Sequence, residues 1–221
     1  MKSAIVRFAL LASAVGMLSG QPTPVVKLHK VPLHWLVEGA QELGGDDRLG
    51  VAKALAPDVR TALIRAISEQ LRPGKKIGEA NLEEKLLKLV ADVRVKIVDL
   101  NGDGVPEVIA QASDNESCSP TGNCTIWVFM RSGNGYRLIL TRIAVQTFAI
   151  RPTRTNGFKD LVLGQHGSAF ERGLFLYQFV DGRYRKQACY NASWERLVGG
   201  EWQELEEPVI TPCELIRAKK P

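Results

Sequence analysis

Two hydrophobic patterns divide the chain near residue 92. Before this point, apolar residues recur at intervals of three and four, the spacing of amphipathic helices. Stripes of this kind cover 33–43, 57–71 and 81–90. After it, apolar and polar residues alternate, which is the pattern of half-buried strands. The pattern predicts an α+β chain, with a small helical region over 33–91 followed by a mainly antiparallel β domain over 93–221.

Turn residues divide the β domain into short strands. Strands are predicted at 106–112, 125–131, 135–141, 145–151, 160–164, 173–180 and 183–190. Gly133-Asn134-Gly135 and Asp181-Gly182 are typical hairpin turns, because glycine, asparagine and aspartate tolerate positive φ. Gly199-Gly200 predicts one more hairpin, and a C-terminal tail follows it.

An internal similarity links residues 93–141 with residues 145–190. The matched positions are Glu107 with Asp160, 53 residues apart, and Trp127 with Phe175 and Tyr136 with Tyr184, 48 apart. The difference between the two spacings falls in a loop of the first copy, where insertions are expected. Each copy is predicted to be a blade-like unit made of a polar loop, a strand and a hairpin. A period near 50 residues is typical of propellers and arrays.

The polar loop of the first copy carries candidate metal ligands. Asp99, Asn101, Asp103, the Val105 carbonyl and Glu107 occupy positions 1, 3, 5, 7 and 9 of the loop. Hard oxygen donors at alternate positions are what Ca²⁺ requires from one short segment. An EF-hand is disfavoured, because position 12 is Ala110 rather than a glutamate and a strand is predicted after the loop instead of a helix. The alternative is a solvated turn rich in Asn, Asp and Gly that needs no metal.

The segment D-L-N-G-D-G-V-P-E-V-I resembles the calcium-loop half of FG-GAP and VCBS-type repeats. This resemblance covers residues 93–190. It implies a blade whose loop holds Ca²⁺ between strands, in a secreted or cell-surface protein that serves adhesion or ligand binding. Two copies are too few for a closed propeller, which needs about four blades or more. We therefore expect a small sandwich or twisted sheet.

The second copy has lost half of these ligands. Pro152 and Arg154 stand where the first copy has Asp99 and Asn101, whereas Asn156 and Asp160 keep oxygens at the positions of Asp103 and Glu107. One interpretation places the Arg154 guanidinium beside Asp160, in place of the cation. The other is an ordinary surface ion pair.

The N-terminus indicates export. Residues 1–20 place two cations ahead of an uncharged apolar stretch, which is the order of a signal peptide. Residues 21–32 are predicted to be an extended lead-in. Without residues 1–20 the net charge falls from +5 to +3, which does not indicate nucleic-acid binding. We expect a secreted or periplasmic protein that is not embedded in the membrane after signal cleavage.

Four cysteines fit an oxidising compartment. Of the three possible connectivities we favour Cys118 with Cys124, and Cys189 with Cys213. Zinc is the competing use of four cysteines, but the closely spaced pair that zinc sites usually contain is absent.

Function is predicted only by class. The export signal, the cysteines and the loop favour a non-enzymatic binding or structural module, stabilised by Ca²⁺ and disulfides, with an unknown protein or glycan partner. The alternative is a secreted hydrolase that uses His166, Ser168 and Glu171 of GQHGSAFE, although no G-x-S-x-G elbow occurs in the chain. Aromatic residues along the strands could form a stacking platform for sugars, but packing in the core is the simpler interpretation.

Overall fold

The computed structural model describes residues 33–42, 57–71, 88, 90–113 and 118–213. Within these residues, a 3₁₀ turn over Leu33–Leu36 precedes one bounded helix and ten strands. In chain order these are β1 (Gln41–Glu42), α1 (Pro57–Leu71), β2 (Arg94–Val98), β3 (Glu107–Gln111), β4 (Cys124–Ser132), β5 (Gly135–Val145), β6 (Thr147–Thr155), β7 (Phe158–His166), β8 (Glu171–Val180), β9 (Arg183–Val198) and β10 (Glu201–Pro212). The predicted signal peptide, the lead-in and most of the helix at 81–90 lie outside the described residues.

The strands form two antiparallel sheets. The first has the order β2-β3-β4-β5 and the second the order β1-β6-β7-β8-β9-β10. Apart from β1, neighbours in each sheet are neighbours in sequence, so both sheets are meanders joined by tight turns. The prediction of a mainly antiparallel β protein is confirmed.

The predicted helical region is only partly correct. Helix α1 has the bounds that its stripe predicts, Pro57–Leu71. The helix predicted at 33–43 is wrong for the residues described, which form a 3₁₀ turn and then β1. Gly39 has a φ of 63°, which ends the turn. Arg151 donates hydrogen bonds to the carbonyls of Trp35 and Glu38, which a continuous helix would use internally.

Side chains on opposite faces of the sheets build three cores. The central core lies between the sheets and includes Ile109, Val128, Leu161 and Tyr177. The helix-side core lies on the other face of the first sheet, where α1 packs its Leu63 and Ile67 against residues of β3 and β4. That core also contains Val95, Val108, Ala110, Trp127 and Phe129.

The outer core lies on the far face of the second sheet. Leu36 packs there with Val162, Leu174 and Leu176. The turn at 33–38 covers this face. Arg151 holds the turn in place by hydrogen bonds to its carbonyls, and the Arg151 guanidinium stacks 4.9 Å from the centre of the Trp35 ring. The central strands of each sheet therefore have both faces covered, whereas most of β10 is exposed.

Gly164 in β7 is the point at which the second sheet tolerates no side chain. It pairs with Thr147 of β6, and a Cβ at position 164 would lie 2.2 Å from the Thr147 Oγ1. Gly164→Ala is therefore expected to cost about 1 to 3 kcal/mol of unfolding free energy through overpacking. Adding Thr147→Ala removes the clashing oxygen and should restore part of that stability. Urea unfolding of the two single variants and the double variant measures this coupling, and strictly additive effects would contradict it.

Candidate metal centre

The candidate loop connects β2 to β3 at one end of the first sheet. Val98 and Glu107 pair across the ladder and close the loop. Gly102 and Gly104 have φ values of 83° and 81°, a left-handed conformation that strains other residues. These two glycines let the chain wrap tightly around the side chains of the loop.

Asp99 organises the first half of the loop. Its Oδ1 accepts a hydrogen bond from the Gly102 N–H at 2.6 Å, and its Oδ2 accepts one from the Gly104 N–H at 3.1 Å. These donors stabilise the charged form, so the pKa of Asp99 lies below its ordinary value, with the Gly102 bond as the largest cause. The carboxylate is therefore ionised at neutral pH.

Asn101 and Asp103 form two successive Asx turns. The Asn101 Oδ1 accepts from the Asp103 N–H at 2.8 Å, and the Asp103 Oδ1 accepts from the Val105 N–H at 2.7 Å. The Asn101 amide also donates to the Asp103 Oδ2 at 2.9 Å. The side chain of Val105 is exposed, and its predicted ligand is the backbone carbonyl.

Glu107 is the buried member of the set, with only 1% of its surface exposed. Its Oε2 accepts from the Leu100 N–H at 2.8 Å, and its Oε1 lies 3.5 Å from the Asn101 amide nitrogen. Burial raises the pKa of Glu107, and the negative charges of Asp103 and Asp99 raise it further. A carboxylate in this position is stabilised by any nearby cation.

The loop has suitable donors for Ca²⁺, but its carboxylates are hydrogen-bonded to its own N–H groups. Among the described residues, no group of three or more His, Cys, Asp or Glu side chains is placed to hold a metal ion. The donor set is nevertheless of the all-oxygen kind that Ca²⁺ prefers. Ligation by Asp99, Asn101, Asp103, Val105 and Glu107 therefore stays a prediction.

Asp160 occupies the corresponding position of the second copy and has neutral partners. Like Glu107 it is 1% exposed. Its two oxygens accept hydrogen bonds from the hydroxyls of Thr153 and Thr155, at 2.7 and 2.8 Å, and from the Gln178 amide at 3.3 Å. The second loop thus satisfies its buried carboxylate with side chains of the protein.

Arg154 does not lie in the cation's place beside Asp160, which is one of the two interpretations of the sequence. Its Nη1 donates to the Leu100 carbonyl at 3.1 Å and to the Gly157 carbonyl at 2.6 Å. The Lys159 N–H also donates to the Leu100 carbonyl, at 2.8 Å. Arg154 therefore fastens the second loop to the first, a contact between loops that the sequence comparison missed.

The two predicted disulfides are confirmed. Cys118 is bonded to Cys124, and Cys189 to Cys213. The short cysteine loop is docked on the second sheet by Asn123, which lies within it and is 4% exposed. The Asn123 side chain accepts from the His166 N–H at 2.7 Å and donates to the His166 carbonyl at 2.9 Å, as a neighbouring strand would.

The residues of the hydrolase alternative are bonded to backbone groups. The His166 ring lies with Nδ1 3.1 Å from the Thr121 carbonyl. The Ser168 Oγ accepts from the Phe170 N–H at 3.3 Å, and Glu171 pairs with Ser168 through the backbone. These bonds describe a tight turn between β7 and β8.

Most of the aromatic side chains considered for sugar stacking are packed in the cores. Trp127, Phe129, Tyr177, Phe179 and Tyr184 are each 8% exposed or less. Phe158, Phe179 and Tyr184 form an aromatic cluster in the central core, and the Tyr184 hydroxyl donates to the Lys159 carbonyl at 2.8 Å. Burial raises the pKa of Tyr177 to about 12.

Comparison of the chain with protein-family models, curated proteins and solved structures gives no match. Among the described residues, no helix is long and apolar enough to cross a membrane.

Proposed function

We propose that this chain is an exported, non-catalytic binding module whose first loop binds Ca²⁺. The observation that carries the proposal is Glu107, a buried carboxylate whose pKa is raised by burial and by two neighbouring aspartates. Ionising this side chain in the folded protein costs free energy, and a divalent cation held by the same loop would offset that cost. The disulfides fit the oxidising compartment to which the N-terminal sequence points.

The second loop supports this interpretation by contrast. Asp160 receives three hydrogen bonds from neutral side chains, whereas Glu107 receives one backbone bond and a long contact from Asn101. The first loop therefore has fewer hydrogen-bond donors for its buried carboxylate, and it is also the loop that has all the predicted oxygen ligands.

Ladder registers support an internal duplication of a blade-like unit. Four of the five pairs of β2 with β3 recur in β6 with β7 when every residue is moved by 53 positions, so that Arg94 with Gln111 corresponds to Thr147 with Gly164. Even a register shift recurs at a distance of 48. Val128 pairs with Leu140 and Phe129 with Leu138, as Leu176 does with Ala188 and Tyr177 with Lys186.

The two units stack with the face of one against the back of the other. Val128 faces the central core, whereas its counterpart Leu176 faces the outer core. Phe129 faces α1, whereas its counterpart Tyr177 faces the central core. This arrangement supports the proposed kinship with propeller blades, which stack in the same sense around a ring. Here α1 and the turn at 33–38 cover the outer faces instead.

Calcium should raise the melting temperature. A site of the extracellular class has a Kd of about 10⁻⁴ to 10⁻³ M, so roughly 10 mM Ca²⁺ should raise the midpoint by about 3 to 10 °C over EDTA. The measurement is thermal unfolding of the wild type, of Asp103→Ala and of Asp160→Asn. The shift should vanish in Asp103→Ala and persist in Asp160→Asn. Equal melting temperatures of the wild type in Ca²⁺ and in EDTA would contradict the calcium proposal.

Glu107→Gln removes the negative charge of this side chain while keeping its size and an oxygen that can accept the Leu100 hydrogen bond. Because the folded-state pKa of Glu107 is raised, the protonated form favours folding, and stability is lost as pH rises through that pKa. In EDTA at pH 7 the glutamine variant should therefore melt no lower than the wild type, while its response to Ca²⁺ is lost. Melting curves from pH 4 to pH 8 test the sign. A variant that is less stable at pH 7 in EDTA and equally stable at pH 4 would contradict it.

The non-catalytic part of the proposal has its own test. Ser168→Ala and His166→Ala should leave the binding function intact, because the described contacts of both residues stabilise a turn. A hydrolytic activity of the purified protein that either substitution abolishes, with folding retained, would overturn it.

A further inference from the structure

Strand β10 is an open edge of the second sheet. It is the last strand in that order, so within the described residues β9 is its sheet neighbour on one side and the other side carries no strand. A register shift between Glu204 and Val209, together with Pro208, interrupts its C-terminal half. Bulges and prolines of this kind protect an edge from further pairing. Residues 201–204 lie before this shift, pair regularly with β9 and contain no proline, so they are the part of the edge that can accept another strand.

An exposed apolar pair lies on this part of the hairpin. Leu197 and Trp202 are directly opposed in the ladder, so their side chains share one face. They are 58% and 66% exposed, and they lie outside the three cores. An apolar pair presented in this way is a candidate contact surface.

The same face carries two directly opposed carboxylates. Glu195 pairs with Glu204, two residues along each strand from Leu197 and Trp202. Opposed like charges weaken a ladder. Over 195–207 there are five glutamates and one arginine, a local charge of −4, although the whole chain carries +5. A cationic group between Glu195 and Glu204 would relieve their repulsion, so the charge of this hairpin is complementary to a basic partner.

We propose that β10 binds an extended segment of a basic partner protein, which adds as a further strand along residues 201–204. The face of the hairpin presents a carboxylate pair and, about 7 Å further along, an apolar pair. An added strand places every second side chain on that face. The partner segment should therefore carry Lys or Arg and, two residues away, an apolar or aromatic residue. This proposal names the chemistry of the partner, and it rests on the proposed function of the chain as a binding module.

A synthetic peptide tests the proposal on the full chain. The probe is a fluorescent twelve-residue peptide with Lys and Phe alternating at every second position and Thr between them. Binding is followed by anisotropy at about 150 mM salt, where exposed charges beyond about 8 Å are screened. Glu204→Gln and Trp202→Ala should each weaken binding at least tenfold. Asp181→Asn is the control, because Asp181 is an exposed carboxylate in the turn before β9, at the other end of that strand from the hairpin, and should change affinity less than twofold.

Two altered peptides complete the test. Replacing Lys by Glu should abolish binding, and replacing the central Thr residues by Pro should abolish it because proline cannot pair in a ladder. No binding of the probe at millimolar concentration, equal effects of Glu204→Gln and Asp181→Asn, or undiminished binding of the proline peptide would each overturn the proposal. So would self-association of the protein that Glu204→Gln abolishes, because a second copy would then be the occupant.

The outcome can be separated from that of the calcium proposal. Peptide binding is measured in Ca²⁺ and in EDTA, beside the melting temperatures of the same samples. Peptide binding without a calcium-dependent shift contradicts the calcium proposal alone. A calcium-dependent shift without peptide binding contradicts the hairpin proposal alone. Thermal unfolding of Trp202→Ala and Glu204→Gln verifies that each variant is folded.

Discussion

Trp127→Ala is expected to lower the free energy of unfolding by about 3 to 5 kcal/mol. The indole is fully buried in the helix-side core, where Leu63 and Ile67 of α1 pack with it. Truncation leaves a cavity between the helix and β4 that neither rigid element can fill, so both the transfer and the cavity contributions are lost. Equilibrium unfolding in urea measures the change. Trp202→Ala is the matched control, and as an exposed position it should change stability by about 0.5 kcal/mol or less.

Trp127→Phe should cost less than half as much as the alanine variant. The Trp127 Nε1 is buried and has no hydrogen-bond acceptor among the described residues. Replacing the indole by a phenyl ring therefore breaks no hydrogen bond and removes an unsatisfied donor, although it leaves a small gap. If Phe proves as costly as Ala, the indole N–H has a partner whose loss accounts for the difference.

Removing the disulfide between Cys189 and Cys213 is expected to cost about 3 kcal/mol. The bridge closes a loop with a sequence separation of 24, compared with 6 for Cys118 and Cys124. In the chain-entropy description, the longer loop restricts the unfolded chain more, by roughly 1 kcal/mol over the shorter. The paired serine variants of each bridge should therefore differ in this order when unfolding is measured in urea. A larger loss from the Cys118–Cys124 pair would show that native contacts of the short loop dominate.

The sequence predicts local features of this fold well. Alternating apolar residues and hairpin glycines predict the antiparallel strands of both sheets. The cysteine positions predict the two disulfides, one closing a short loop and the other tying the C-terminal tail to β9. Boundaries are less accurate, since β9 runs unbroken through Arg183–Val198, whereas the predicted strand ends at 190. Continuity there depends on pairing with β8 and β10, which no local pattern contains.

Contacts between distant segments could not be predicted from the sequence. Arg151 fixes the turn at 33–38, Asn123 docks the cysteine loop, and Arg154 binds the first loop, each through backbone carbonyl or amide groups. Any residue supplies such backbone groups, so the partner leaves no signature in the sequence. At the candidate metal centre, the sequence predicted the oxygen donors, whereas the burial of Glu107 became visible only in the fold.

Stacking the face of one unit on the back of the next has a consequence for the addition of further units. Such a contact joins two different surfaces and has no two-fold axis. Each added unit therefore exposes a new copy of the first surface, to which another unit can bind, as in a growing fibre. The side of the first sheet that α1 covers corresponds to the side by which the second sheet binds the first. Helix α1 and the turn held by Arg151 therefore act as end pieces, like the terminal units of solenoid proteins. They cover the two outer faces on which a further unit of the same kind would otherwise pack.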